Sequence, residues 1–126
     1  MNVQPCAIAP DGSDIVSVTI GDHLLQATVI SFGACLQDLR LRNVDYPLVL
    51  GYADAADYIG NASYFGAVVG RNANRIAHGR CAISGQKRHL TKADNDQHQL
   101  HGGPKGSSFR NWQLVSVTTN QVVLQD

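Results

Sequence analysis

There is no glutamate in this chain: all ten acidic residues are aspartates. Glutamate is one of the better helix formers, while Val, Ile and Thr, which favour strands, are plentiful, so the composition leans away from helices. Net charge is absent too. Ten Lys and Arg balance ten Asp, with no charged tail, which removes the electrostatic reason to expect nucleic acid or an anionic membrane as a partner. No apolar run approaches the length of a membrane span. Cysteine is scarce and odd in number. Cys6, Cys35 and Cys81 lie far apart, giving neither a disulfide framework nor a CxxC metal knuckle. The opening MNVQPCAIAPDGSD lacks the basic and apolar regions of a secretory signal. The expectation is one domain over residues 1–126, in a reducing cytoplasm.

What is present is mostly a period of two. In 15-IVSVTI-20, Val16, Val18 and Ile20 alternate with Ser17 and Thr19. Gly21-Asp22 then reads as a turn, and 24-LLQATVI-30 as the returning strand. The stretch 35-CLQDLRL-41 places Cys35, Leu39 and Leu41 on one face, with Gln37 breaking the pattern. A short apolar run, 48-LVL-50, precedes Gly51, and 53-ADAADYIG-60 is the one candidate helix. Two more hairpins follow, 80-RCAISGQKRHL-90 turning at Gly85-Gln86 and 113-QLVSVTTNQVVLQ-125 turning at Thr119-Asn120. Short strands separated by turn signals predict an all-β, antiparallel sandwich or barrel. Two long polar stretches, 70–79 and 91–111, are the loops expected to carry function.

The second of these contains 98-HQLHGGPKG-106. Asp94, Asp96, His98 and His101 crowd within eight residues, but zinc wants three or four converging ligands. A spacing of three serves a helix, which Gly102-Gly103-Pro104 and the Asp-Asn-Asp run oppose, so no metal is expected. The glycines and Lys105 do not make a phosphate loop, since the Walker pattern and its following helix are missing. His98 reads as a solvated surface residue. His101 is different: it sits between Leu100 and two glycines that allow close backbone approach, where an imidazole can meet a hydroxyl near neutral pH. In 70-GRNANRIAHG-79, Asn74 and Arg75 offer the forked donors and paired amide groups that sugar hydroxyls need. They serve equally well as caps for loop carbonyls, and the residue types leave these two readings level. Tyr64, Phe65, Phe109 and Trp112 lie near both loops and could floor a sugar ring or simply fill the core.

The series 64-YFGAVVGRNANRIAHGRCAISGQKRHL-90, then 100-LHGGPKG-106 and Trp112, resembles the aldose 1-epimerase (galactose mutarotase) family. The segments 31-SFGACLQDLRL-41 and 49-VLGYADAADY-58 agree with it, so the likeness runs from about Val16 to about Trp112. The resemblance implies a large antiparallel β-sandwich, the galactose mutarotase-like supersandwich, of which this chain is an N-terminal portion. It implies acid–base interconversion of the α and β anomers of free hexoses such as galactose and glucose, without metal or organic cofactor. By the same resemblance Asn74 and Arg75 bind substrate. His101 binds it too and assists catalysis near the ring oxygen and C1, while His98 matches no functional position.

The likeness is also incomplete. Members of the family are much longer, and their principal acid (a second histidine), their glutamate base and a sugar-binding aspartate lie downstream of the LHGG segment. A chain without glutamate cannot supply that base. The expectation is therefore a polypeptide that is inactive or very weak on its own and exposes open sheet edges, through which it forms homo-oligomers, swaps strands or aggregates, unless it folds as a smaller sandwich of its own. Two other readings stand beside this one: a carbohydrate-binding module without catalysis, and a structural fragment that dimerises through a strand edge.

Overall fold

The computed structural model describes residues 2–126. Its frame is a four-stranded antiparallel meander of β1 (Asn2–Ile8), β2 (Asp14–Gly21), β3 (Leu25–Ile30) and β4 (Cys35–Leu41), paired in that order. Three two-stranded antiparallel ladders follow: β5 (Arg75–Ile76) with β8 (Gln99–Leu100), β6 (Arg80–Ile83) with β7 (Gln86–His89), and β9 (Gln113–Val117) with β10 (Val122–Gln125). The architecture is all-β and antiparallel, and among the described residues no helix is long and apolar enough to cross a membrane.

The core lies on one face of the meander. Ile15, Ile30, Phe32 and Cys35 pack with Ala9, Ala55 and Tyr58, and Tyr52, Phe65 and Ala67 close over them. Burial of that kind stabilises by roughly 1.5–3 kcal/mol for each large apolar side chain. Burial also pushes the Cys35 thiol up to about 12, so it behaves as a small inert hydrophobe.

The sequence signals hold for the hairpins β2–β3, β6–β7 and β9–β10, with local corrections. The β2–β3 turn is His23-Leu24, not Gly21-Asp22, because Gly21 still pairs with Gln26 and Asp22 N–H donates to the Leu25 carbonyl. The β6–β7 turn is Ser84-Gly85, not Gly85-Gln86, because Ile83 pairs with Gln86. Both turn residues have positive φ, 49° and 77°, as a tight two-residue hairpin requires. The candidate helix over 53–60 is a single 3-10 turn, Ala55–Tyr58. Asp54 caps it by accepting from the Ala56 N–H, but Ile59 is already extended, and the segment is too short to repay helix nucleation. Gln37 breaks the alternation of β4 because it is a bulge: Asp38 faces Thr28 while Leu36 faces Val29. Its side-chain amide donates instead to the carbonyls of Tyr52 and Ala53.

Strand β1 was not foreseen. Pro5 and a second bulge at Cys6, between the pairs Pro5–Val16 and Ala7–Ile15, hide its periodicity. As the outer strand it can carry a proline, which withholds one ladder donor. Loop 91–111 is likewise less loose than expected. It contains β8 and a bridge between Asp94 and His98, and its far end is sewn to the sheet. Ser31 Oγ donates to Asn111 Oδ1 at 2.6 Å, and the Asn111 amide donates to Ser13 Oγ and the Asp14 carbonyl.

Candidate sugar-binding site

The two functional loops meet in the β5–β8 ladder, where Arg75 faces Leu100 and Ile76 faces Gln99. On one flank of this ladder His101 and Asn74 hold each other. The His101 N–H donates to the Asn74 carbonyl at 3.1 Å, and the Asn74 N–H donates to His101 Nδ1 at 2.9 Å. An imidazole nitrogen that accepts carries no proton, so the neutral ring keeps its proton on Nε2 and presents it as a donor. Both residues pay for this in backbone conformation, with φ of 51° at His101 and 65° at Asn74, an uncommon region for residues other than glycine.

The loop crossing beneath depends on Gly102. Its φ is +85°, and a Cβ there would fall on the Gly70 carbonyl. Ser107 N–H donates to that same carbonyl at 3.2 Å.

On the other flank His98 is more than a solvated histidine. Its Nδ1 accepts the His78 N–H at 3.1 Å, and the two rings lie 5.3 Å apart. Both histidines of the HQLH segment therefore accept a backbone N–H from loop 70–79. Arg75 is half-exposed, and its Nε is 2.5 Å from Asp94 Oδ2. The hydrogen bond from Arg75 holds the Asp94 carboxyl below its usual range, and the same bond raises Arg75. Among the described residues no three His, Cys or Asp side chains converge as a metal would require.

The aromatic residues divide. Tyr64 packs edge-on against the His101 ring at 4.7 Å and, tilted, against Phe109 at 5.6 Å. Burial, with the nearby Asp94 charge, raises its phenol. Phe65 turns toward Tyr52 and the core, and Trp112 donates its indole N–H to the Ser107 carbonyl. The structure thus brings Asn74, Arg75, His101 and Tyr64 to one place. A separate cleft of about 620 Å³, lined in part by Arg71, Asn72, Gln99, Lys105 and Arg110, does not include them.

Sequence reasoning missed Asp94 and His98 as partners of loop 70–79. The available signal was the Asp-Asn-Asp run, since Asn and Asp tolerate positive φ and make tight turns. Asn95 and Asp96 have φ of 49° and 56°.

The sequence family described as aldose 1-epimerase matches residues 16–126. The chain belongs to the aldose 1-epimerase family. The match takes in the β9–β10 hairpin and so extends past Trp112, where the motif likeness ended. The chain is 35% identical to the aldose 1-epimerase of Escherichia coli K12, covering 98% of this chain and 36% of that one. It is also 35% identical to the galactose mutarotase of Mus musculus, over 88% of this chain and 33% of the mouse protein. Among solved structures, an aldose epimerase homologue from C. elegans superposes with a TM-score of 0.80 at 32% identity, covering 87% of this chain and 35% of its own. Galactose 1-epimerase from Lactobacillus acidophilus NCFM, at 23% identity and a TM-score of 0.77, supports the fold alone. This aldose 1-epimerase family chain spans about a third of the length of these relatives.

Proposed function

We propose that this chain carries one wall of the sugar site of a mutarotase acting on free hexoses such as galactose, in the cytoplasm. Arg75 and Asn74 bind sugar hydroxyls, and the Tyr64 ring offers an apolar face. The observation that carries the reading is the hydrogen bond from the Asn74 N–H to His101 Nδ1. With Nδ1 engaged by the Asn74 N–H, the Nε2–H is a pre-oriented donor. Such a donor stabilises negative charge developing on the ring oxygen or the C1 oxygen as the ring opens, without reorganising at the moment of reaction.

Anomer exchange also needs a group that removes the C1 hydroxyl proton and one that protonates the ring oxygen. The chain has no glutamate to act as the family's base, and the histidine acid implied by the resemblance has no counterpart among its motifs. The 126-residue polypeptide is therefore expected to bind hexose without accelerating mutarotation. Homo-oligomers through the outer edge of β1, which is exposed except at Ala7, belong to the same proposal, and light scattering over a concentration series tests them.

The functional test has two arms. Polarimetry of fresh α-galactose with the purified polypeptide should match the buffer blank, and galactose should shift backbone NMR signals of loops 70–79 and 91–111. Arg75→Ala and His101→Ala should each weaken binding about tenfold or more, as expected for losing a charged or buried hydrogen bond, while the chain stays folded. If both variants bind galactose as the parent does, the site is elsewhere. Acceleration abolished by His101→Ala would mean that a working acid–base set is already present here.

A further inference from the structure

Arginine offers five N–H donors in a rigid fork, and among the described residues only one of Arg75's is firmly engaged. Nε points at Asp94 Oδ2, while the terminal NH1 has just a long 3.5 Å contact with Asn74 Oδ1. Left alone, a half-exposed arginine samples many rotamers and must give up that freedom on binding.

Asp94 is not a casual surface partner. The N–H groups of Ala93 and Asp94 both donate to the His98 carbonyl, at 2.9 and 3.1 Å, and Gln97 N–H donates to the Asp94 carbonyl at 2.9 Å. This closes a tight turn over 94–98. The end of that turn then grips loop 70–79 through the bond from His78 N–H to His98 Nδ1. The turn thus holds loop 70–79 through the Arg75 side chain and, three residues on, through the His78 backbone.

We propose that Asp94 is a positioning residue: it aims the Arg75 guanidinium so that its two terminal nitrogens form a ready fork for neighbouring oxygens of a hexose. This rests on the reading of Arg75 as a sugar contact. An exposed ion pair adds little to folding stability, so the contribution of this one lies in the preorganised geometry of the fork. His98 holds the turn from the far side and shares that role indirectly.

The experiment follows galactose binding by NMR with ¹⁵N-labelled protein, in the parent, Asp94→Asn, Asp94→Glu, Arg75→Lys and the Asp94→Asn/Arg75→Lys double variant. The Arg75 Nε–Hε signal is recorded in the variants that keep the arginine. Asp94→Asn should weaken binding about fivefold to tenfold and speed solvent exchange of Arg75 Hε, with little change in melting temperature. Asp94→Glu should restore part of both. Within the Arg75→Lys background, Asp94→Asn should change affinity by less than about twofold, because a residue acting through Arg75 has nothing left to aim.

Equal losses in both backgrounds would overturn the proposal and make Asp94 a general support of the loop. A parent that binds galactose with no change on Asp94→Asn would overturn it while leaving the sugar reading intact. A parent that binds no galactose would refute the sugar reading, and the proposal with it.

Discussion

In residues 2–41 the chain is held by strand ladders over an apolar face, and Ile15 and Ile30 there are completely buried. In residues 64–111 Phe65 and Ala67 still pack against that core, but the functional loops beyond them have no such face. Asn74, Arg75 and His78 are all exposed, and the two loops are held instead by individually placed bonds: Asn74 N–H to His101, His78 N–H to His98, and Arg75 to Asp94. Backbone conformation leans the same way, since among non-glycine residues of the first region Ala34 alone has positive φ. Tyr64, Asn74, His78, Asn95, Asp96 and His101 all have positive φ, and such conformations persist only where the surroundings over-determine them. The first region rests mainly on period and volume, with Gly21 and Gly33 as fixed points where a Cβ would strike backbone. The second works only with particular atoms in particular places.

Three perturbations would sharpen or break this contrast. The largest effect is expected in the sheet. Ile30→Ala should cost about 2–5 kcal/mol, a large share of the stability expected of a chain this size. Calorimetry should show the melting temperature falling by roughly 10 °C or more, with sugar binding lost only where the whole chain unfolds. Gly102→Ala should have an intermediate and more local effect. It forces a side chain onto the Gly70 carbonyl at a φ that disfavours one, at a cost of about 1–3 kcal/mol. Hydrogen exchange should then rise across 70–79 and 99–107 while β2 and β3 stay protected. Uniform loss of protection would show that the two regions are one cooperative unit.

The smallest effect is electrostatic. The Asp94 carboxyl is held below its ordinary range. The Arg75–Asp94 pair therefore contributes fully above the usual aspartate pKa, near 3.9, and is lost only as pH falls through the lowered value. The Arg75 Nε–Hε signal should stay unchanged from pH 7 to about pH 4 and move only below that. Movement already at pH 5 would show that the pair is not formed.

The same contrast explains what could be read from the sequence. Hairpins β2–β3, β6–β7 and β9–β10 were legible because alternation and turn residues are local signals. Strand β1 was not, since Pro5 and the bulge at Cys6 erase its period, and Gln37 registered only as an irregularity. At the site, Asn74, Arg75 and His101 came from motif likeness, not from periodicity. The partnership of Arg75 with Asp94, nineteen residues apart, depends on how a two-residue ladder sets the register of two loops. No local pattern encodes that. His98 was misread for the same reason: its partner is a backbone N–H twenty residues earlier.

Because the Asn74 amide and the His101 ring fasten each other from both sides, neither loop can change length by itself. One residue inserted between Gly70 and Asn74, or between Leu100 and Gly102, should slide one partner past the other and unhook Gly102 from Gly70. Natural drift or laboratory engineering of this wall should therefore proceed by exchanging side chains, or by transplanting both loops together.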